Sequence, residues 1–222
     1  MKHLTLLFQN GQFISPHQPD DSFSIDTFKD ECRRQGIVGQ EDVFLQVVYH
    51  TPHFLILPKE MDGKAVYRHH FPATPSQDIA SELLCDNLQQ LNCLRDTALK
   101  EAADEMLPRH ALLPDAYLLA NAALQKSSRQ GLIVLHWTAG DLQIIIARHG
   151  QLIFSNSFKV ENETEVLYYT AAVSQEYYRC DRALLGGDPR LPALMKEHFS
   201  HLEEFSLVRD IQAFLLYQSS SL

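Results

Sequence analysis

The chain has 222 residues, of which 45% are hydrophobic and 21% charged, and a formal net charge of −9. This is globular composition, long enough for one large domain or two small ones and apolar enough to bury a core. The 19 Lys and Arg residues are scattered singly or in pairs such as Arg33-Arg34, so no basic face is expected and nucleic acid is excluded as a partner.

The four cysteines, Cys32, Cys85, Cys93 and Cys180, form no C-x-x-C pair. They read as reduced, mostly buried thiols of a cytoplasmic protein. Leu4-Thr5-Leu6-Leu7-Phe8 is too short an apolar run for the core of a signal peptide, and Gln9-Asn10-Gly11 ends it with a turn. No stretch approaches about 18 consecutive apolar residues, so no membrane insertion is expected.

In chain order, Leu4–Phe8 reads as a strand, followed by candidate strands Gln12-Phe13-Ile14 and Phe23-Ser24-Ile25. Asp26 is a candidate cap for a helix from Thr27 to Gln35. Val43–Tyr49 and Phe54–Leu57 read as the next strands, and Glu60–Arg68 as a helix. Ile79–Leu88 and Leu91–Leu94 are candidate strands, with helices near Ala98–Met106 and Asp115–Lys126. Lys126–Gln130 is the best linker, which divides the chain into residues 1–128 and 129–222.

The second part is the clearer. Leu132-Ile133-Val134-Leu135, the run from Leu142 to Ala147, and Leu152–Ser155 are strands separated by turns at Thr138–Asp141 and His149-Gly150, a three-stranded meander. Asn162 and Glu165 then have capping-box spacing, and Val166, Tyr169, Val173 and Tyr177 follow at helical spacing. Ala183-Leu184-Leu185 is a short strand ending at Gly186-Gly187. Pro192 suits the first turn of a helix carrying Leu194, Met195 and Phe199. Leu202–Leu207 is a last strand, and Ile211, Phe214 and Leu215 suit a terminal helix. The order β-β-β-α-β-α-β is that of the ribonuclease-H-like motif. The first part reads as a degraded copy of it with inserted strands and helices.

Phe54-Leu55-Ile56-Leu57-Pro58, Gln151–Phe158 and the acidic helix start ending in Leu167-Tyr168-Tyr169 resemble an uncharacterised bacterial family, a domain of unknown function related in fold to actin-like ATPases. The resemblance implies an α/β fold in which the motif is duplicated, with two subdomains around a cleft. It assigns no activity. In the wider actin and Hsp70 superfamily, Leu184–Pro192 resembles the adenosine motif, in which Gly186-Gly187 would let backbone approach a nucleoside. That superfamily also carries an Asp-x-Gly hairpin in each half, whose carboxylate holds the metal of a bound triphosphate. Here the hairpins read Gln9-Asn10-Gly11 and Thr138-Ala139-Gly140. The glycines remain, but Gln9 and Thr138 stand where the acids belong. Gly11, Thr138, Gly140, Gly186 and Gly187 therefore outline a degenerate nucleotide cleft. ATP is the one cofactor it suggests, and hydrolysis lacks its charge-neutralising ion. Leu132–Trp137 offers no carboxylate for a two-metal nuclease.

Eleven histidines raise a metal site from His50, His53, His69, His70 and Asp62, but their placement in a loop and at a helix end argues against it. No nucleophile elbow, P-loop, dinucleotide-binding or zincin motif occurs. Tyr168-Tyr169 and Tyr177-Tyr178 read as core, with a partner-binding stripe as the alternative. The sequence thus points to a non-catalytic protein that binds a protein partner, with self-association left open. The alternative is a nucleotide-binding protein or weak ATPase.

Overall fold

The computed structural model describes residues 2–9, 11–15, 18–34, 38, 43–75, 78–106, 109–127, 129–138, 140–207 and 210. The expected terminal helix around Ile211, Phe214 and Leu215 lies outside these residues.

The first sheet comprises β1 (Lys2–Gln9), β2 (Gln12–Ser15), β3 (Gln18–Ser24), β4 (Val43–Tyr49) and β8 (His110–Pro114), in the order β3-β2-β1-β4-β8. The second comprises β9 (Leu132–Thr138), β10 (Asp141–Arg148), β11 (Gln151–Lys159), β12 (Arg182–Gly187) and β13 (His201–Phe205), in the order β11-β10-β9-β12-β13. The two orders correspond strand for strand. In each, the opening meander is antiparallel and the last two strands run parallel to the first. Helices α1 (Ile25–Arg34) and α3 (Thr97–Met106) of the first copy match α5 (Glu163–Glu176) and α6 (Leu191–Met195) of the second. The chain is therefore a duplicated ribonuclease-H-like motif, an α/β fold with two subdomains.

Local chemistry explains the elements. His149 and Gly150 both take positive φ, 54° and 71°, the backbone of a tight hairpin between β10 and β11. Asn162 caps α5 by accepting from Glu165 N at 3.1 Å, and Glu165 reaches back to Glu161 N at 2.7 Å. The expected strand Ile79–Leu88 stops earlier, as β6 (Ile79–Leu83). Asp86 Oδ1 accepts from the N–H groups of Leu88 and Gln89, and Asn87 turns left-handed at φ 56°, which closes a hairpin to β7 (Gln89–Leu94).

Phe54–Pro58 (β5) does not continue the first sheet. It pairs with β7 in a three-stranded sheet, β5-β7-β6, which with α2 (Gly63–His70) is inserted between β4 and α3. The place beside β4 belongs to β8, a strand the sequence reading did not single out. In the second copy only residues 188–190 separate β12 from α6. The first copy thus carries an insertion that the second lacks.

Helix α4 (Asp115–Lys126) lies between the two sheets. Ala116, Leu118, Leu119, Ala120, Ala122 and Ala123 are fully buried around its whole circumference, as expected for a helix with no solvent face. It packs on β8 and on β9, β10 and β11. The second sheet is thus covered on both faces. Val134, Ile145 and Ala147 meet α4, while Ile133, Leu135, Ile144 and Ile146 meet Val166 and Val173 of α5 and Met195 of α6. This is why β10 is apolar almost throughout rather than alternating. Among the described residues no helix is long and apolar enough to cross a membrane.

Candidate functional site

The two hairpins singled out in the sequence face each other. Gly11 (φ 76°) and Gly140 (φ 79°) both occupy the left-handed region their turns demand. Gln9 ends β1 and Thr138 ends β9, and Gln9 Nε2 donates to Thr138 Oγ1. The residues that replace the two expected acids therefore bond to one another. Gly186 and Gly187 are held by packing. A Cβ on Gly186 would sit 2.3 Å from the Phe205 ring. One on Gly187 (φ 94°) would sit 2.0 Å from the Trp137 carbonyl oxygen, which already accepts from Asp188 N at 2.7 Å. Thr138 and Gly187 line one cavity of about 130 Å³ together with Gln9, His50, Asp115 and His136. Gly11, Gly140 and Gly186 do not line it.

The chemistry of this cleft lies in residues gathered from α4, β10, β11 and the loop after β4. Asp115 opens α4, where the helix N-terminus favours negative charge. Its Oδ1 accepts from Thr51 N at 3.0 Å, Ala116 N at 2.7 Å and Gln143 Nε2 at 3.1 Å. Its Oδ2 lies 2.7 Å from His50 Nδ1. Gln143 Nε2, reaching over from β10, also donates to Thr51 O at 3.0 Å. On the far side of the imidazole, His50 Nε2 lies 3.3 Å from Asp141 Oδ2, which also takes Lys159 Nζ at 2.9 Å. The network joins segments of both motif copies: His50 and Thr51 follow β4 of the first, Asp141, Gln143 and Lys159 belong to strands of the second, and Asp115 opens α4 between the two sheets.

Burial would raise the Asp115 carboxyl, but the hydrogen bond and charge of His50, with help from His136 and Gln143, hold it below the ordinary carboxylate range. Burial works to lower His50, but Asp115 and then Asp141 lift it above its ordinary value. His136 is pushed down to about 4, chiefly by burial. It stays neutral, stacked on Phe205, and among the described residues its Nδ1 has no hydrogen-bond partner.

The histidines considered as metal ligands do not converge. His53 packs against Phe71, His69 meets His70 edge to face, and Asp62 caps α2. Among the described residues no group of three or more His, Cys, Asp or Glu side chains is placed to hold a metal ion. Asp115, His136 and Gln143 escaped the sequence reading. Pro114-Asp115 carried an ordinary helix-start signal, and the one usable clue was a lone Gln inside the apolar strand Leu142–Ala147.

The fold has solved counterparts. One is a Bacteroides thetaiotaomicron protein with an actin-like ATPase fold and unknown function, 15% identical, with a TM-score of 0.68 over 97% of this chain and 95% of that one. Another is the cytoplasmic domain of EpsL, an inner-membrane component of the Vibrio cholerae type II secretion system. It is 12% identical, with a TM-score of 0.52 over 100% of this chain and 96% of that one. No curated protein matches the sequence. Residues 42–178, more than half of the chain and including every member of the buried network, match the profile of the family described as "Protein of unknown function (DUF3822)", and the chain belongs to that family.

Proposed function

We propose that this is a cytoplasmic, non-catalytic partner-binding protein, built of subdomains 1–128 and 129–222, whose former nucleotide cleft is closed by its own side chains. The observation that carries the reading is the direct bond from Gln9 to Thr138. It puts neutral groups in mutual contact where the superfamily's acids would hold a metal-bound triphosphate. The remaining space of about 130 Å³ is well below the roughly 300 Å³ at which ligand pockets begin. The EpsL domain, a secretion-system component of the same fold, supports a partner-binding role. On this chain, the surface suited to a partner is α5, where Tyr168 and Tyr177 are 65% and 51% exposed. They sit beside Tyr169, Phe154 and Phe158, whose rings touch one another and these two tyrosines. Tyr is favoured at such surfaces.

The left-handed glycine turns at Gly11 and Gly140 favour the second reading, a nucleotide-binding protein that opens to admit ATP. Calorimetric titration with Mg-ATP separates the two. The first expects no heat and no phosphate release at millimolar nucleotide. Micromolar binding, lost in a Thr138→Trp variant that fills the cavity, would establish the second. For the partner surface, affinity capture should retain a protein on the wild type that Tyr168→Ala/Tyr177→Ala loses. Equal retention by both would remove α5 from the proposal.

A further inference from the structure

His50 has a carboxylate against each ring nitrogen, Asp115 Oδ2 at Nδ1 and Asp141 Oδ2 at Nε2. A neutral imidazole carries one N–H and one lone pair, so it can donate to one carboxylate only and turns its lone pair toward the other. Imidazolium donates to both. The two carboxylates are not equivalent. Both are buried, but Asp115 makes the shorter contact and is fixed by the N–H groups of Ala116 and of Thr51, the residue that follows His50. Asp141 belongs to the other half, and its second partner, Lys159, comes from that same half and is mostly exposed. On losing a proton, the imidazole keeps Nδ1–H on Asp115. The bond given up is the one that crosses the cleft.

We propose that His50 is a proton-operated latch between the halves: protonated, it joins Asp115 of the first to Asp141 of the second, and neutral, it stays on Asp115 and releases Asp141. The groups facing it are Asp115 on α4, Asp141 on β10 with Lys159 of β11 beyond, and His136 on β9, whose Nδ1 lies 3.9 Å from Asp115 Oδ2. On its other side, His53, Asp78, Arg95 and Asp96 line an open groove. His136, held near 4 by burial, is already neutral where His50 titrates, so the change of charge falls on His50. With His50 raised by its two carboxylates, release comes as pH rises past the ordinary histidine value. For each unit by which the closed state's pKa exceeds the open state's, the closed-to-open ratio falls about tenfold across the titration. After release, the crossing contacts that persist include those of Gln143, the Gln9–Thr138 bond and the packing of α4 on β9, β10 and β11, none of which carries a titrating proton.

The test pairs two measurements on the full chain. Two-bond ¹H–¹⁵N NMR follows the protonation of His50. Pulsed electron resonance follows the distance between nitroxides at Glu60→Cys on the insertion and Glu197→Cys beyond α6, in a Cys85→Ser background. In the wild type, His50 should be doubly protonated at pH 5.5, and the label distance should lengthen with the same midpoint at which it loses a proton. Asp141→Asn should stay closed at every pH, because the amide can donate to the neutral ring's Nε2. His50→Gln should show a single distance throughout. A singly protonated His50 at pH 5.5, a distance that ignores its titration, or a wild-type response retained in Asp141→Asn or His50→Gln would overturn the proposal.

Discussion

Gly187 and Asp115 show how much of the cleft depends on single residues. Gly187 combines a positive φ with a Cβ position 2.0 Å from the Trp137 carbonyl oxygen. Left-handed backbone costs a non-glycine residue about 1–2 kcal/mol before any clash, and backbone cannot step aside as a side chain can. Gly187→Ala should therefore destabilise the fold by at least about 2 kcal/mol. Urea unfolding followed by the fluorescence of Trp137, the single tryptophan, measures it. Asp115→Ala should cost more, about 3–5 kcal/mol. It strands a protonated His50 against Asp141 and leaves the donors of Thr51 and Gln143 short of an acceptor. The same unfolding experiment checks it, and a loss under about 1 kcal/mol would contradict the described network. The glycine pair was legible in the sequence as the end of a strand. That it is required by Trp137 and Phe205 was not, because both contacts are made across strands.

Among the elements, α5 was read most fully from the sequence. Its capping box and the burial of Val166 and Val173 follow from local spacing. Tyr177, assigned to the same apolar stripe, instead ends the helix and is half exposed, its ring leaning on Phe154. Asn162→Ala removes the oxygen that accepts from Glu165 N and should cost about 1 kcal/mol. Chemical denaturation measures it, with hydrogen exchange expected to rise first in the opening turn of α5. Strand β8 went unread for a reason of scale. Five residues between Pro108 and Pro114 carry too little periodicity to declare a strand, and Pro114 is tolerated because β8 is an edge strand.

For the whole molecule, His50 and His136 set opposing limits on stability. His50 has a raised folded-state pKa, so its contribution is complete below the unfolded value of about 6.5 and is lost as pH rises through the folded value. His136 has a folded-state pKa of about 4, so its contribution is complete above about 6.5 and is lost as pH falls from there toward 4. The two slopes meet near pH 6.5, where stability should peak. Asp115, held low, adds a further loss only when pH falls below the ordinary aspartate range. Urea midpoints from pH 4 to pH 9 test this. His136→Asn should flatten the acid limb and leave the alkaline one, whereas His50→Gln should do the reverse. A profile that is flat between pH 5 and 8 would show that neither histidine is coupled to folding.

By itself the sequence determined what local chemistry controls. Period-two and period-3.6 patterns laid out β-β-β-α-β-α-β in the second half, and glycines marked the hairpins. These signals span only a few residues, and the backbone answers to them directly. Tertiary structure decided what distant segments share. It placed Phe54–Pro58 in an inserted sheet and gave β8 the position beside β4. It also brought His50 to carboxylates 65 and 91 residues away. A buried ion needs partners at hydrogen-bonding distance, and which residues supply them is settled by how α4 and the two sheets pack. The Gln9–Thr138 bond and the contacts of His50 with Asp115 and Asp141 follow from that packing.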